Sequence, residues 1–170
     1  MPAIGPTTGG PALAATVLAL AGVRRGGRIL DVGAGSLLYA RPAAAAATAT
    51  GLVVSCDDLE SIAHGTSRGP ASWAPILRVA AVPGGLPVHD ASFHTVICAP
   101  AGPSGPRLAD VVEELRRVAL PGARVVVSAT AATAPSDAAL LAAAGLEIVH
   151  LAESAWSGAL VCHIVARPAA

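Results

Sequence analysis

Short apolar runs alternate along the chain with longer Ala- and Leu-rich stretches, and this alternation predicts the order of helices and strands. The short runs are rich in β-branched residues and predict strands at 28–32, 52–56, 76–79, 95–99, 125–130, 147–151 and 159–166. The longer stretches predict helices at 12–23, 36–49, 58–65, 107–119 and 136–144. Strands separated by helices form βαβ units, which build a mostly parallel sheet with helices on both faces.

The last two apolar runs follow each other without an intervening helix, and they therefore predict a hairpin. A parallel sheet that ends in such a hairpin finishes with an antiparallel strand. The sequence thus predicts an α/β domain with seven strands over residues 12–168, preceded by a loosely ordered stretch at 1–11. A length of 170 residues is typical of one domain with a sizeable core.

Composition excludes several classes of function. Apolar residues make up 54% of the chain, but no uninterrupted run reaches the ~20 residues of a membrane span. The segment before residue 12 has no Lys or Arg, which argues against a signal peptide, and we expect a cytoplasmic protein. The net charge is zero and the arginines are scattered, so nucleic acid is not an expected partner.

Three cysteines, Cys56, Cys98 and Cys162, lie within apolar runs far apart in sequence. No CxxC pair is present, so neither a zinc site nor a disulfide framework is indicated. We expect all three to be buried thiols that act as small core residues, and we expect no metal site.

The segment 28–37, "RILDVGAGSL", holds the first candidate site. Asp31 ends a predicted strand, and Gly33 and Gly35 follow it in the turn to the next helix. Glycine lets a ligand approach the backbone closely at such a turn, and Asp31 can bond the turn or a ligand's amino group. Ligands of open parallel sheets bind at this carboxyl edge, where the strand order reverses.

The second candidate site is an acidic pair, Asp57 and Asp58, which follows the next predicted strand in "LVVSCDD". A carboxylate at this place can accept two hydrogen bonds from ribose hydroxyls. Alternatively, either residue caps the helix predicted to start near Leu59. The residues themselves leave both interpretations open.

Four segments together resemble a known family. "RILDVGAG", "LVVSCDDLESIA", "GLPVHDASFHTVICA" and "LADVVEELRRVALPGARVVVSA" occur in the order typical of class I S-adenosylmethionine-dependent methyltransferases. The third and fourth resemble that family's small-molecule branch, and the likeness covers roughly residues 12–168. It implies a Rossmann-like, doubly wound sheet and the transfer of a methyl group from S-adenosylmethionine to a small molecule. A nicotinamide Rossmann enzyme is the nearest alternative, but it would need a third glycine near Leu38.

The resemblance also implies roles for particular residues. Asp31 and the Gly33–Ala34–Gly35 turn would surround the methionine part of the cofactor, while Asp57, with Asp58 adjacent, would hold the ribose. The further expected cofactor contacts are Val82 and Pro83 at the adenine, and Cys98 and Ala99 at the methionine end, facing the substrate.

Three positions depart from the family pattern. Leu37 stands where the third glycine falls, Val82 replaces the acid that bonds adenine, and His94 replaces the acid of "SFD". We expect Leu37, in the first turn of a helix, to crowd the methionine tail. The departures favour an alternative function, that of a degenerate, non-catalytic methyltransferase fold serving as a binding or partner subunit. We also expect a homodimer or a protein partner, because the chain is unusually apolar.

A catalytic base is not evident from the sequence. His89 and His94 are the candidates that precede or lie within the fourth predicted strand. His94 and His163 fall within predicted strands, where a histidine is more often a core residue. The sequence "CAPA" after the fourth strand lacks the motif of enzymes that methylate amino groups of DNA bases.

Overall fold

The computed structural model of this chain describes residues 10–33, 37–57, 69–81, 85–98, 108–156 and 159–169. The helices are α1 (Gly10–Ala21), α2 (Ala40–Ala47), α3 (Leu108–Val118) and α4 (Ala134–Ala143). The strands are β1 (Arg28–Val32), β2 (Leu52–Asp57), β3 (Ile76–Ala80), β4 (Phe93–Cys98), β5 (Ala119–Thr130), β6 (Leu146–Trp156) and β7 (Ala159–Pro168). The helix predicted at 58–65 lies outside the described residues.

All seven strands form one sheet in the order β3-β2-β1-β4-β5-β7-β6. The first five strands of that order run parallel to one another, and β7 is antiparallel to both β5 and β6. The predicted α/β fold and its antiparallel C-terminal hairpin are therefore confirmed. Strand order reverses between β1 and β4, so the ends of these two strands mark the crevice in which such sheets bind ligands.

The core lies on both faces of the sheet. Leu30 and Val32 belong to a buried cluster with α3 and α4, and we call this side the α3 face. Ile29 belongs to a second cluster with α1 and α2, which we call the α1 face. Because β1, β4 and β5 are covered on both sides, their apolar residues do not alternate with polar ones as they would in a half-exposed strand.

Helix α2 begins later than the sequence pattern predicts. The expected helix spans 36–49, whereas the observed one is Ala40–Ala47. Leu37 has a left-handed backbone with a φ of 59°, which is not helical and delays the start. Pro42 lies in the first turn of α2, where its missing N–H costs no hydrogen bond.

Arg117, in the last turn of α3, joins two segments that carry the family resemblance. Its guanidinium donates to the carbonyl oxygens of Leu86 at 3.0 Å and Val88 at 2.9 Å. It also pairs with the carboxylates of Asp90 and Glu114. Arg117 thus fastens the loop before β4 to the C-terminal end of α3, and "LPVHD" and "LRRV" have a structural role at the amino end of β4.

The edges of the sheet carry its exposed apolar residues. Val149, Leu151 and Leu160 lie on the β6–β7 hairpin, and Leu77 lies on β3 at the other edge. None of the helices in the described ranges is both long and apolar enough to cross a lipid bilayer.

Candidate functional site

Asp31 lies near the carboxyl end of β1, at the switch point of the sheet. Its neighbours across the sheet are Ser55 on β2 and Ile97 on β4. The side chain of Asp31 is 0% exposed, and within the described structure neither of its carboxylate oxygens has a hydrogen-bond partner. Buried carboxyl groups are seldom left without hydrogen bonds, because nothing then replaces the water molecules that burial removes from the group.

The pKa of Asp31 reflects this position. It is raised from 3.8 to about 7, chiefly by burial and to a smaller extent by the negative charge of Asp57. The backbone N–H of Ala40, at the start of α2, lies close enough to lower it, although the contact is not a hydrogen bond of normal geometry. Near neutral pH this carboxyl is therefore divided between its neutral and charged forms, and a cationic ligand would favour the charged form.

Ser55 is a polar neighbour that the sequence interpretation missed. It is buried, and its hydroxyl has no hydrogen-bond partner among the described residues. Because register partners on parallel strands point to the same face, Ser55 and Asp31 lie side by side on the α1 face. Its one sequence signal is that it interrupts the apolar run "LVVSCD".

The turn after β1 and the end of β2 meet at the same edge. Gly33 has a φ of 75°, which favours glycine, and its N–H donates to the carbonyl of Cys56 at 2.9 Å. Asp57 is the half-buried last residue of β2, and its carbonyl accepts from the N–H of Ala81 at 2.8 Å. The structure thus brings Asp31, Gly33 and Asp57 together.

The remaining expected cofactor contacts lie outside the described residues. They are Ala34, Gly35, Asp58, Val82, Pro83 and Ala99. Their roles stay predictions from the family resemblance.

The structure corrects part of what the sequence predicts for the three cysteines. Cys56 and Cys98 flank Val32 on the α3 face, both are fully buried, and burial raises each pKa to about 12. Cys98 was expected to face the substrate, but its thiol packs in the core. Cys162 was expected to be buried, yet it is only partly so, with its sulfur 4.0 Å from Glu153.

No cluster of three or more His, Cys, Asp or Glu residues that could hold a metal ion is present in the described part of the chain.

Both histidines proposed as bases lie away from Asp31. His94 is the second residue of β4, and its Nδ1 accepts the backbone N–H of Arg28, the first residue of β1, at 3.1 Å. His89 is exposed and precedes Asp90, which Arg117 holds near the end of α3. Both therefore lie at the amino ends of the parallel strands, at the opposite edge from Asp31, and their placement argues against a role as base there.

A buried polar chain that the sequence interpretation did not anticipate extends from Tyr39. Its phenol lies near Ser128, although the two side chains do not form a hydrogen bond of normal geometry. Burial, followed by the charge of Asp31, raises the pKa of Tyr39 to about 12, while Ser128 lowers it. Ser128 Oγ in turn lies 2.9 Å from Nδ1 of His163, whose Nε2 is 2.7 Å from Ser154 Oγ. His163 is thus a hydrogen-bonded core residue, as a histidine within a strand usually is.

Leu37 takes a different position from the one expected. It lies in a turn before α2 instead of in the first turn of a helix, and its side chain is only 4% exposed. It belongs to the buried cluster that includes Leu13 and Val17 of α1 and Ala40 of α2. Leu37 therefore packs in the core of the α1 face, and the expectation that it crowds the ligand is corrected.

We predict that Leu37→Ala lowers the free energy of unfolding by about 2–5 kcal/mol, because it empties part of this core. Leu37→Gly is expected to cost less than Leu37→Ala, because glycine relieves a left-handed backbone that costs other residues about 1–2 kcal/mol. Urea unfolding of both variants measures the difference. An alanine variant more stable than the glycine variant would show that the backbone at this position carries no such strain.

Solved structures resemble the chain over most of its length. A SAM-dependent methyltransferase from Aquifex aeolicus matches with a TM-score of 0.72 at 19% identity, over 90% of this chain and 88% of that one. The [4+2]-cyclase SpnF matches with a TM-score of 0.76 at 16% identity, over 92% and 80%. The 1,6-didemethyltoxoflavin-N1-methyltransferase of Burkholderia thailandensis, solved with 1,6-didemethyltoxoflavin and S-adenosylhomocysteine bound, matches with a TM-score of 0.69 at 18% identity, over 92% and 76%. No protein-family model and no curated protein matches the chain.

At these identities the likeness establishes the fold. The chain has the Rossmann-like fold of S-adenosylmethionine-dependent methyltransferases, with seven strands and an antiparallel C-terminal hairpin. One of the matching proteins is named as a cyclase, so the fold by itself does not specify a reaction.

Proposed function

We propose that this protein binds S-adenosylmethionine at the carboxyl edge of β1 and β2 and transfers its methyl group to a small molecule. The observation that carries the proposal is the buried, unpartnered carboxyl of Asp31 at the switch point. The cofactor's methionine part bears an ammonium group, which would supply the missing hydrogen bonds and the missing positive charge. Charge-assisted hydrogen bonds of this kind are among the strongest in proteins.

The residues around Asp31 fit the other parts of the cofactor. The left-handed Gly33 turn has no Cβ, so the methionine part can lie close to its backbone. Asp57 at the end of β2 has the position from which a carboxylate accepts both ribose hydroxyls. Asp58, Val82 and Pro83 keep their proposed places beside the ribose and adenine on the family resemblance alone.

When bound, the cofactor supplies an electrophilic methyl group for in-line displacement by the acceptor. Tyr39, Cys56 and Cys98 do not act as bases at neutral pH, since burial raises the pKa of each to about 12. In this proposal the protein contributes mainly proximity and alignment, which can supply several kcal/mol of the barrier. A small acceptor agrees with the ligand named for the Burkholderia neighbour.

Titration of the purified protein with S-adenosylmethionine and S-adenosylhomocysteine in a calorimeter tests the proposal. We expect saturable binding of both, accompanied by a rise in melting temperature, because a ligand that binds only the folded state stabilises it. No heat and no thermal shift at millimolar concentrations of either ligand would exclude cofactor binding.

Asp57→Asn is expected to weaken binding of both ligands by about ten- to a hundredfold, because hydrogen bonds to a charged group contribute about 1.5–3 kcal/mol. Asp58→Asn is expected to have a smaller effect, since Asp57 is the residue assigned to the ribose. Calorimetry on the two variants and on Glu147→Gln, whose carboxylate pairs with the exposed Arg167, measures the contrast. Equal or reversed losses at positions 57 and 58 would show that the ribose assignment is misplaced.

A non-catalytic binding or partner subunit is the second candidate. The placement of His89 and His94 at the edge opposite Asp31 favours it, because neither imidazole is in reach of a substrate bound beside Asp31. This candidate predicts tight cofactor binding without turnover of any methyl acceptor by the isolated chain. Methyl transfer by the purified chain alone would exclude it.

Homodimerisation, a protein partner and a cytoplasmic location remain proposals. The exposed Val149, Leu151 and Leu160 on the β6–β7 hairpin support association with a second surface.

A further inference from the structure

A cavity opens at the amino edge of the sheet, opposite the Asp31 site. Its volume is about 460 Å³, within the range of small-molecule sites. Its walls come from the end of α1, the start of β4 and the loop-like start of β5. The side chains that carry its chemistry are Arg24, His94 and Arg124. Nothing in the proposed methyl transfer uses this cavity.

The charge around this cavity is positive. No carboxylate is among the described residues that line it. Arg24 and Arg28 both lie close enough to His94 to lower its pKa, after the larger effect of burial. Asp90, the carboxylate nearest to His94 in the sequence, is paired with Arg117. The guanidinium groups of Arg24 and Arg124 line the cavity and that of Arg28 lies nearby, so an anion in the cavity would be close to three positive charges.

Free carbonyl groups at the C-terminal end of α1 would repel an anion in the cavity, but the last four carbonyls are all hydrogen-bonded. The carbonyls of residues 18 and 19 accept backbone N–H groups of residues 23 and 22. The Leu20 carbonyl accepts from Nη1 of Arg124 at 3.1 Å, and the Ala21 carbonyl accepts from Oγ1 of Thr95 at 3.3 Å. All four are satisfied within the protein, so they do not turn negative dipoles toward a ligand.

Arg124 is held in place at the rim of the cavity. Its guanidinium packs over Gly22, where an added Cβ would come within 3.2 Å of Nη1. A guanidinium has five N–H donors, and the bond to Leu20 uses one of them. The others are available to a ligand in a group whose position is already restricted, which lowers the entropy lost on binding.

His94 adds a third donor. Its Nδ1 accepts the N–H of Arg28, so the neutral ring carries its proton on Nε2 and donates from there. Arg24, His94 and Arg124 therefore present donors from three separate segments of the chain. A tetrahedral anion with several acceptor oxygens matches such an arrangement better than a planar carboxylate does.

We propose that this cavity is a binding site for a phosphate group, carried by a small organic phosphate ester. A free phosphate ion would fill only part of about 460 Å³, and the apolar walls formed by Leu120, Pro121 and Ala123 leave room for the organic part of an ester. The site is separate from the cofactor edge, so it stands or falls independently of the methyltransferase proposal.

The ring signals of the histidines in NMR spectra test this proposal. The His94 signal is assigned by its loss in His94→Gln, and the wild-type protein is titrated at low salt with inorganic phosphate and with glycerol 3-phosphate. We expect saturable shifts of the His94 signal and a rise in its pKa, because a bound anion favours the charged imidazole. Tighter binding of the ester than of inorganic phosphate is expected. Equal affinities would assign the site to free phosphate and overturn the ester assignment.

Charge-neutralising variants provide the control. Arg24→Gln and Arg124→Gln are each expected to weaken phosphate binding about tenfold, and Arg167→Gln, on the distant β6–β7 hairpin, is expected to leave it unchanged. Arg24 is exposed and makes none of the bonds that cap α1, so its variant separates charge from folding. Absence of a His94 shift at tens of millimolar phosphate, or an equal loss in Arg167→Gln, would overturn the proposal.

Discussion

Asp31→Asn is expected to stabilise the ligand-free protein, by an amount that grows with pH. Burial raises the pKa of the Asp31 carboxyl from 3.8 to about 7. Between these values the folded chain binds more protons than the unfolded chain, so the wild-type protein loses stability as the pH rises through this window. At 1.36 kcal/mol per pKa unit, the gain from asparagine is about 2 kcal/mol larger at pH 8 than at pH 5.5.

Urea unfolding of the wild-type protein and the variant at both pH values measures this gain. Glu147→Gln is the matched control, because it removes an exposed carboxylate that pairs with Arg167, and no gain of that size is expected from it. A variant less stable than the wild-type protein at pH 8 would mean that the Asp31 carboxylate is stabilised in the folded state. The argument for a missing cationic partner would then fail.

The same substitution should remove most of the affinity for S-adenosylmethionine if the proposed function holds. Losing the partner of the ammonium group is expected to weaken binding more than tenfold, because bonds to charged groups contribute about 1.5–3 kcal/mol. Binding to the wild-type protein just below pH 7 should also release protons, since the ligand favours the charged carboxylate. Calorimetry in buffers of different ionisation enthalpy detects this release, and Asp31→Asn should show none from this group.

His163 is expected to lower the stability of the protein as the pH falls, whereas Asp31 raises it. Burial lowers its pKa from 6.5 to about 4, so it is neutral in the folded chain and takes up a proton on unfolding. Its contribution to the free energy of unfolding is fully present above pH 6.5 and is lost as the pH falls toward 4. Between pH 7.5 and pH 5 this loss is about 2 kcal/mol, similar in size to the gain from protonation of Asp31.

The two groups should therefore nearly cancel in the wild-type protein, and single variants should expose each of them. On going from pH 7.5 to pH 5, Asp31→Asn is expected to lose about 2 kcal/mol, and His163→Gln is expected to gain about as much. At pH 7.5, His163→Gln should be less stable by about 1–3 kcal/mol, because Ser128 and Ser154 lose bonds to the ring. Urea unfolding at both pH values, with the exposed His150→Gln as control, measures these changes. An acid response in His163→Gln equal to that of the wild-type protein would contradict the assignment.

The architecture could be predicted from the sequence alone, because the signals for it are local. Runs of β-branched residues separated by Ala- and Leu-rich stretches specify strands and helices, and the missing helix before β7 specifies the antiparallel hairpin. Asp31, Gly33 and Asp57 could also be predicted as neighbours, since each ends or follows a strand whose carboxyl end meets the same edge.

Which side chains meet at that edge, and whether each is buried or hydrogen-bonded there, depends on the tertiary structure. The orphaned carboxyl of Asp31 depends on its burial within the fold, and the core position of Leu37 depends on its packing with α1. The amino-edge position of His94 and the thiol of Cys98 in the core depend on strand direction and on which face each residue takes. Burial, hydrogen-bond partners and pKa shifts are sums over residues distant along the chain, so no local pattern contains them.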